Sequence, residues 1–170
     1  MDDLFSQTVI NRSVSVEPKY ITNSLNDIIL KKLKDQYEEK CSKDGYIKKN
    51  SIRILKRSLG KILASQFNGN VLYNVKFAAE ICNPLEGAVI TAQVSNINKM
   101  GVLATVNSYS DSPLNIILAR QHHVDNDKFA TLTVGTDIEI KILGKRFEYG
   151  DTQISIIAVL ESVYDTFANK

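Results

Sequence analysis

Two histidines and two nearby aspartates are the residues whose types first suggest a metal or catalytic site. His122 and His123 are adjacent and are the only histidines of the chain. Neighbouring residues of a strand point to opposite faces, and no third histidine completes a ligand set. Asp125 and Asp127 lack the glycine and terminal glutamate that a calcium-binding loop places after them. We therefore expect ordinary loop residues here, with no metal ion and no other cofactor.

The chain also lacks the motifs of a catalytic centre. It contains no nucleophile–base pair, no phosphate-cradling glycine loop and no paired-carboxylate motif. A nuclease that carries a binding domain would need an acidic metal site, and the first 80 residues supply none. We therefore predict a binding subunit with no catalytic residues.

Cysteine usage and hydropathy indicate the compartment. Cys41 and Cys82 are the only cysteines, and two lone cysteines give neither a zinc-ligand spacing nor a disulfide framework. Buried free thiols in a reducing, intracellular environment are expected. The N-terminal stretch MDDLFSQT has no apolar segment typical of a secretory signal. No run approaches the roughly 18 to 20 apolar residues that span a bilayer, so we expect no membrane partner.

The charge of the chain is divided unevenly. Residues 1–80 hold 14 Lys or Arg and 9 Asp or Glu, whereas residues 81–170 hold 7 and 10. The change of sign places a domain boundary near residue 82, and we predict domains at 1–82 and 83–170. A net negative C-terminal half is unfavourable for strong binding of nucleic acid.

Periodicity predicts the elements of the first domain. β-branched residues indicate a strand over 8–16, and 3–4 spacing of apolar residues predicts a helix over about 22–41. A strand with a basic outer face is predicted over 46–58. Alternation over 71–81 predicts a long strand that is buried on one face.

After Asn83-Pro84 the sequence changes to short strands separated by glycines. Together with the first domain this predicts an α+β chain that ends in a five-stranded Greek-key barrel of the oligonucleotide-binding (OB) type. The five strands are predicted at 85–97, 101–107, 114–119, 137–147 and 152–160, with an irregular link at 120–135.

The positions of two glycines are the basis of a resemblance to a known barrel. In LEGAVITAQVSNINKMGVLATV, Gly87 opens one strand and Gly101 opens the next. Glycines at these points permit the tight bends and coiling that close a small barrel. The segment resembles the opening hairpin of the barrel in ribosomal protein S-one and its relatives, which belong to the OB fold.

Three further segments make the family resemblance more specific. The segments are GKIL (60–63), YNVKFAAEICNPLEGAVI (73–90) and VGTDIEIKILGKRF (134–147). In order, spacing and length the chain resembles the stalk subunit of multisubunit DNA-directed RNA polymerase. That family includes the seventh subunit of the second eukaryotic polymerase, together with its archaeal and giant-virus counterparts.

The resemblance implies a fold and a role. The first domain would be a truncated ribonucleoprotein-like tip, with one main helix on an antiparallel sheet, and it would dock on the polymerase core subunits. A second stalk subunit would contact both domains as a heterodimer partner, and the barrel would lie near nascent RNA. Such a protein is expected in the nucleus if the source is eukaryotic, and in a cytoplasmic viral factory or the virion if it is viral. The Lys-, Asn- and Ile-rich composition fits a viral source.

Docking candidates are apolar or glycine residues outside the regular elements. Apolar side chains in a loop suggest a covered surface, and the alternative is that they fold back on their own sheet. The candidates are Phe5, Ile62, Leu63, Phe67 and Gly69.

The densest basic stretch leaves three interpretations open. It could meet nucleic acid, meet an acidic protein surface, or form a solvated outer face. Its members are Lys48, Lys49, Arg53, Lys56, Arg57 and Lys61.

RNA-binding candidates lie on the barrel, where cations would neutralise phosphates and a ring would stack on a base. Many such barrels carry aromatic residues around the glycine that opens the second strand, but this chain has Met100, Val102 and Leu103 there. We therefore predict weak, non-specific RNA binding, at best in the ~10⁻⁴ to 10⁻⁶ M range. The alternative function is a free-standing RNA-binding protein of translation or RNA decay. The candidates are Lys99, Arg120, Lys141, Lys145, Arg146 and Phe147.

Overall fold

The computed structural model of the chain describes residues 4–62, 68–106, 112–124 and 126–164. These residues form two compact units, one ending at Asn83 and the other beginning at Pro84. Within the described ranges, no helix is both long and apolar enough to cross a bilayer.

The first unit is a six-stranded sheet with one helix on it. The long strand β6 pairs with β1 along its whole length on one side, and with β3, β4 and β5 in succession on the other. In chain order the elements are β1 (Ser6–Val16), a 3₁₀ helix (Pro18–Tyr20), α1 (Leu25–Tyr37), β2 (Cys41–Ser42), β3 (Gly45–Ile47), β4 (Arg53–Arg57), β5 (Lys61–Ile62) and β6 (Val71–Cys82).

The core of this unit lies between α1 and one face of the sheet. Leu25, Ile29, Leu33 and Tyr37 recur every four residues and form the buried stripe of the helix. Alternate residues of β6 face them, because successive side chains of a strand point to opposite faces. That row is Tyr73, Val75, Phe77, Ala79 and Ile81, all buried.

Two predictions for this unit were wrong in detail. The helix is shorter than 22–41, because Glu38 is already extended and Glu39 has a φ of 58°. The predicted strand over 46–58 is broken into β3 and β4. Asn50 has a φ of 54°, and Ser51 donates its hydroxyl to the carbonyl of Lys48 at 2.6 Å, which closes a turn.

The second unit is a closed barrel of five strands in the order β10-β11-β9-β8-β7. Strands β9 and β11 are parallel, whereas the other neighbouring pairs are antiparallel. The elements are β7 (Val89–Asn98), β8 (Gly101–Thr105), β9 (Leu114–Ala119), a 3₁₀ helix (Arg120–His122), α2 (Asp127–Ala130), β10 (Asp137–Arg146) and β11 (Ile154–Val163). The link predicted as irregular therefore contains two short helices.

Every second side chain of β10 is buried inside the barrel, as the alternation in the sequence predicts. Ile138, Ile140 and Ile142 of β10 are buried, and the residues between them are not. Gly101 is required by a close approach, since a Cβ there would lie 2.2 Å from the carbonyl oxygen of Leu118. The predicted fold class, a helix-bearing sheet followed by a five-stranded barrel, is confirmed.

Two strands of the barrel begin or end a few residues away from their predicted bounds. β7 begins at Val89 rather than at 85, because Gly87 forms a turn with a φ of 82°. β11 runs from Ile154 to Val163 rather than over 152–160.

Candidate nucleic-acid interface and docking surface

The turn that carries Lys99 and the segment that carries Arg120 are neighbours at one end of the barrel. Lys99 is exposed in the turn between β7 and β8, and Arg120 is exposed directly after β9. The backbone N–H of Arg120 donates to the carbonyl of Met100 at 3.0 Å, which fixes the two segments together. We call these two cations, with the 84% exposed Met100, the hairpin cluster.

Lys145, Arg146 and Phe147 form a second group, the strand-end cluster, where β10 ends. Lys145 is half-buried, and its Nζ donates to the carbonyl of Pro84 at 2.9 Å. Arg146 is exposed and its Nη2 donates to Glu148 Oε1 at 3.4 Å. Both cations are thus engaged within the unit, and Phe147 is half-buried.

Strand pairing relates the positions of the two clusters through β11 and β9. Lys145 pairs with Ile156, Ile156 pairs with Ile116, and Arg120 follows Ile116 by four residues. At about 3.3 Å per residue along a strand and about 4.8 Å between strands, the two clusters lie roughly 15 Å apart. Lys141 is exposed on the outer face of β10. The six predicted residues therefore occupy two clusters and one separate position.

The described strands between the two clusters present apolar side chains, and neither β8 nor β9 has an aromatic ring on which a base could stack. Leu103 of β8 pairs with Ile117 of β9, and Ile117 pairs with Ile157 of β11, so the three outward side chains form a row. Strands β8 and β9 contain no aromatic residue. Base–aromatic stacking contributes about 1–3 kcal/mol per base, so this face lacks the main source of affinity for single strands.

The docking candidates of the first unit do not gather at one place either. Phe5 is half-buried next to the start of β1, and Lys48 Nζ lies 5.0 Å from its ring centroid. Ile62 pairs with Val71, at the opposite end of β6 from the pairing of Ser6 with Ile81. Phe5 and Ile62 are therefore about ten residues of strand apart.

The end of the sheet near Ile62 is the more exposed apolar surface. The side chain of Ile62 is 71% exposed, and Gly69 has a φ of 69° that favours glycine. Leu59, which is 88% exposed, belongs to the same end. Sequence reasoning missed Leu59, although an apolar residue directly before Gly60 is a signal for it. Leu63 and Phe67 lie outside the described residues.

The basic stretch separates into engaged and unengaged cations. Lys48 bonds Glu80 at 2.5 Å, Lys49 bonds Glu39 at 3.1 Å, and Arg57 donates to Asn26 at 2.7 Å. Arg53, Lys56 and Lys61 are exposed, and none forms an ion pair with a carboxylate of the described residues.

Comparison with known proteins bears on both units. Residues 11–47 match the family described as the SHS2 domain found in the N terminus of Rpb7p/Rpc25p/MJ0397. The chain is 29% identical over 157 residues to a protein of Acanthamoeba polyphaga mimivirus whose name provisionally assigns it as DNA-directed RNA polymerase subunit L376, covering 92% of this chain and 74% of that one.

Cellular relatives give the same result. The chain is 29% identical over 174 residues to DNA-directed RNA polymerase II subunit rpb7 of Schizosaccharomyces pombe, covering 91% of this chain and 94% of the relative. It is 23% identical to DNA-directed RNA polymerase II subunit RPB7 of Glycine max, with 85% and 86% covered. The chain is thus similar to Rpb7 over most of its length. The predicted resemblance to this polymerase subunit family, which includes a viral member, is thereby confirmed.

The SHS2 match corresponds to a defined part of the first unit. Residues 11–47 extend from the middle of β1 through α1 to the end of β3. They supply the whole buried stripe of the helix and the strand residues Val14 and Val16 below it. The segment therefore contains the helix side of the core, whereas β6 supplies the other side.

One of the two histidines has a structural role, which sequence reasoning missed. His123 is buried and hydrogen-bonded through both ring nitrogens, whereas His122 is exposed. Among the described residues, no group of three or more His, Cys, Asp or Glu side chains is placed to hold a metal ion. Cys41 and Cys82 are buried and are not joined in a disulfide bond.

A carboxylate network at the end of β11 was also missed. Glu139 accepts the hydroxyl of Ser162 at 2.6 Å and that of Tyr164 through its other oxygen. The bond from Ser162, followed by that from Tyr164, lowers the pKa of Glu139, while the bond to Glu139 raises the pKa of Tyr164. The sequence gives no local signal, because Glu139 is more than 20 positions from both partners.

Proposed function

We propose that this chain is a non-catalytic stalk subunit of DNA-directed RNA polymerase. Its first unit docks on the polymerase core subunits, and its barrel contacts nascent RNA weakly and without sequence preference. A second stalk subunit binds it as a heterodimer. The protein acts inside the cell, in the nucleus or in a viral factory according to its source.

The similarity to polymerase subunits carries this proposal because it spans both units. Alignments that cover 91% and 92% of the chain include the helix-bearing sheet and the barrel. A free-standing RNA-binding protein that had only acquired a similar barrel would match over the second unit alone. The SHS2 match in the first unit argues against that alternative.

Exposed apolar side chains support docking through the end of the first unit that carries Ile62. Leu59 and Ile62 are both largely exposed, although burial of each side chain would stabilise a protein by about 1.5–3 kcal/mol. Apolar residues that are exposed together at one end of a sheet are typical of a surface that a partner covers.

The state of the cations on the barrel supports weak RNA binding. Two of the candidates, Lys145 and Arg146, already bond protein oxygens. The remaining three are divided between the hairpin cluster and the outer face of β10. Few free cations, and no aromatic residue on β8 or β9, favour a short, low-affinity contact. Such a contact suffices beside an RNA exit path, because tethering keeps the local RNA concentration high.

Affinity purification of the full chain at mild salt tests the assignment. We expect the two large catalytic polymerase subunits and a second small subunit among the co-purifying chains. Recovery of ribosomes or exonucleases in their place would favour the free-standing RNA-binding protein and refute the proposal.

Crosslinking of transcript to the assembled enzyme tests the RNA contact. Lys99→Glu with Arg120→Glu is the suitable variant, because both side chains are exposed and neither bonds another side chain of the described residues. We expect weaker crosslinking with unchanged assembly. Lys31→Glu with Lys128→Glu, two other exposed lysines, is the control for the same change in net charge. Equal crosslinking in the two variants would contradict the assignment to the hairpin cluster.

A further inference from the structure

The apolar row on the outside of the barrel ends at a glycine. Leu103, Ile117 and Ile157 follow one another across β8, β9 and β11, and Ile157 pairs with Gly144 of β10. Ile157 is 47% exposed, and Leu143, which bulges from β10 beside the glycine, is 45% exposed. A Cβ at Gly144 would meet nothing within 4 Å. The glycine therefore leaves an open notch beside two exposed aliphatic side chains.

Two cations of β10 lie on either side of this notch. Lys141 pairs with Val159 and Arg146 pairs with Ser155, so both cations are on the outer face of the barrel with Ile157 between their partners. Val159 and Ser155 are four residues apart on β11, which separates the two cations by about 13 Å along the strands. None of these four positions around Ile157 is acidic.

Both cations are available to a ligand. Lys141 is exposed and forms no ion pair with a carboxylate of the described residues. Arg146 bonds Glu148 at 3.4 Å, but the two side chains are 84% and 74% exposed. An ion pair in that position contributes little, so a carboxylate of a partner can replace it. The surface thus fits a ligand that is apolar along its middle and anionic on both sides.

We propose that this surface binds an amphipathic α-helix of another protein, with acidic residues on both sides of its apolar stripe. Each of the five described barrel strands is paired on both sides, so a partner finds no strand edge to extend. A helix satisfies its own backbone hydrogen bonds and brings only side chains to the surface. Contiguous exposed apolar side chains with a polar border are typical of such a contact.

The dimensions of a helix match the surface in both directions. A helix that crosses the strands is about 10–12 Å in diameter with its side chains, which fits between two cations about 13 Å apart. From Leu103 to Gly144 the row spans three strand spacings, roughly 14 Å, or about two and a half helical turns. One apolar side chain of the helix would enter the notch at Gly144.

A nucleic acid fits this surface less well than a helix does. The side chains between the two cations are aliphatic, so bases find no ring on which to stack, and a phosphate chain that crosses Ile157 finds no cation there. The inference goes beyond the proposed function, because it reassigns Lys141 and Arg146 from RNA to a protein. The hairpin cluster remains the RNA contact.

Site-specific photocrosslinking of the full chain in its native complex tests the proposal. The photoreactive residue p-benzoylphenylalanine is placed at Ser155, which is exposed beside the row and leaves the row intact. Mass spectrometry of the crosslinked peptide is expected to find a protein segment with apolar residues at 3–4 spacing and Asp or Glu on both sides of them. The same residue at Val124, which is 78% exposed, is the positional control and is expected not to capture this segment.

Two variants separate the charges from the notch. Lys141→Glu with Arg146→Glu is expected to reduce the yield of the crosslink at Ser155 severalfold, because like charges would then face each other. Lys31→Glu with Lys128→Glu makes the same change in net charge elsewhere and is expected to keep the yield.

Gly144→Val fills the notch and is also expected to lower the yield. Its side chain enters open space, so the barrel is expected to fold, and circular dichroism of the free chain checks this.

Three outcomes would overturn the proposal. They are a crosslink from Ser155 to nucleic acid, a captured segment without an acidic amphipathic pattern or no capture at all, and an undiminished yield in both variants. None of them depends on whether the chain is a polymerase subunit, since that is decided by co-purification of the unaltered protein.

Discussion

Leu160 donates its backbone N–H to Nε2 of His123 at 2.9 Å, although the two residues are 37 positions apart. Because Nε2 accepts, Nδ1 carries the proton and donates to the carbonyl of Ala119, 2.8 Å away. The ring of Phe129 stacks on the imidazole with centroids 4.2 Å apart. One side chain thus connects the end of β9, the α2 segment and β11.

Replacing His123 is expected to destabilise the barrel. His123→Ala leaves the N–H of Leu160 without a partner in a buried position and removes the contact with Phe129, at a cost of about 2–4 kcal/mol in the free energy of unfolding. Urea unfolding followed by circular dichroism measures this. His122→Ala, at the exposed neighbour, is the control and is expected to change stability by less than about 0.5 kcal/mol. Equal stability of the two variants would show that the bond to Leu160 contributes nothing.

Glu139 is expected to make stability depend on acid pH. Its hydrogen bonds from Ser162 and Tyr164 hold the pKa of the folded carboxyl below its ordinary value of 4.5. The ionised form therefore stabilises the folded state above the unfolded pKa, and this contribution is lost as pH falls through the folded pKa. Thermal unfolding of wild type and Glu139→Gln should differ most near neutral pH and converge below pH 4.5. A constant difference over the whole acid range would refute this.

Tyr164 is expected to make the stability of the folded state depend on alkaline pH. The bond to Glu139 raises the pKa of the phenol above its ordinary value of 10.0, so the neutral phenol stabilises the folded state below that pH. The contribution is lost as pH rises through the folded pKa. Tyr164→Phe should be less stable than wild type at neutral pH and should approach it as the medium becomes strongly alkaline. A stability difference between wild type and Tyr164→Phe that widens with rising pH would contradict this role of the bond to Glu139.

Gly101→Ala is expected to destabilise the barrel by about 1–3 kcal/mol, because the new methyl group would collide with the carbonyl of Leu118 at 2.2 Å. The backbones of β8 and β9 would have to separate, since the obstacle is not a flexible side chain. Gly144→Ala in β10 is the matched control, because a Cβ there meets nothing within 4 Å. It is expected to be neutral or slightly stabilising, by up to about 1 kcal/mol. Chemical denaturation of both variants makes the comparison.

Alternation and glycine spacing were sufficient to predict the barrel, because its strands bury every second residue. Ile138, Ile140 and Ile142 show this in the sequence alone, and the structure has them inside. The break between β3 and β4 was missed, although Lys48, Lys49 and Asn50 are of types depleted in strands and Asn tolerates a positive φ. The turn lies at Asn50, and the strands on either side of it, β3 and β4, both pair with β6.

The candidate sites were less predictable than the fold, because surface contacts depend on register. The sequence marks Lys56 as basic but does not indicate that it faces Lys76. It also marks Lys145 as a phosphate ligand, although that side chain bonds the carbonyl of Pro84. Side chains near the ends of strands contact residues that are distant in the sequence. The local pattern of residue types does not indicate these contacts.

The exposed apolar end of the first unit gives the last prediction. Leu59→Ser with Ile62→Ser should leave the stability of the free chain within about 0.5 kcal/mol of wild type, because both side chains are already in solvent. The same variant should recover much less of the large polymerase subunits in co-purification, because two buried apolar contacts in an interface contribute several kcal/mol.

A matched control for this variant lies on the barrel. Val124→Ser with Val134→Ser changes two apolar residues that are also largely exposed. Since we assign docking to the first unit, this control should recover the polymerase subunits as well as wild type does. Loss of polymerase in the control but not in the Leu59 and Ile62 variant would move the docking surface to the barrel. Loss in both would mean that apolar contacts from the two units are needed together, because neither pair alone would then hold the subunit on the enzyme.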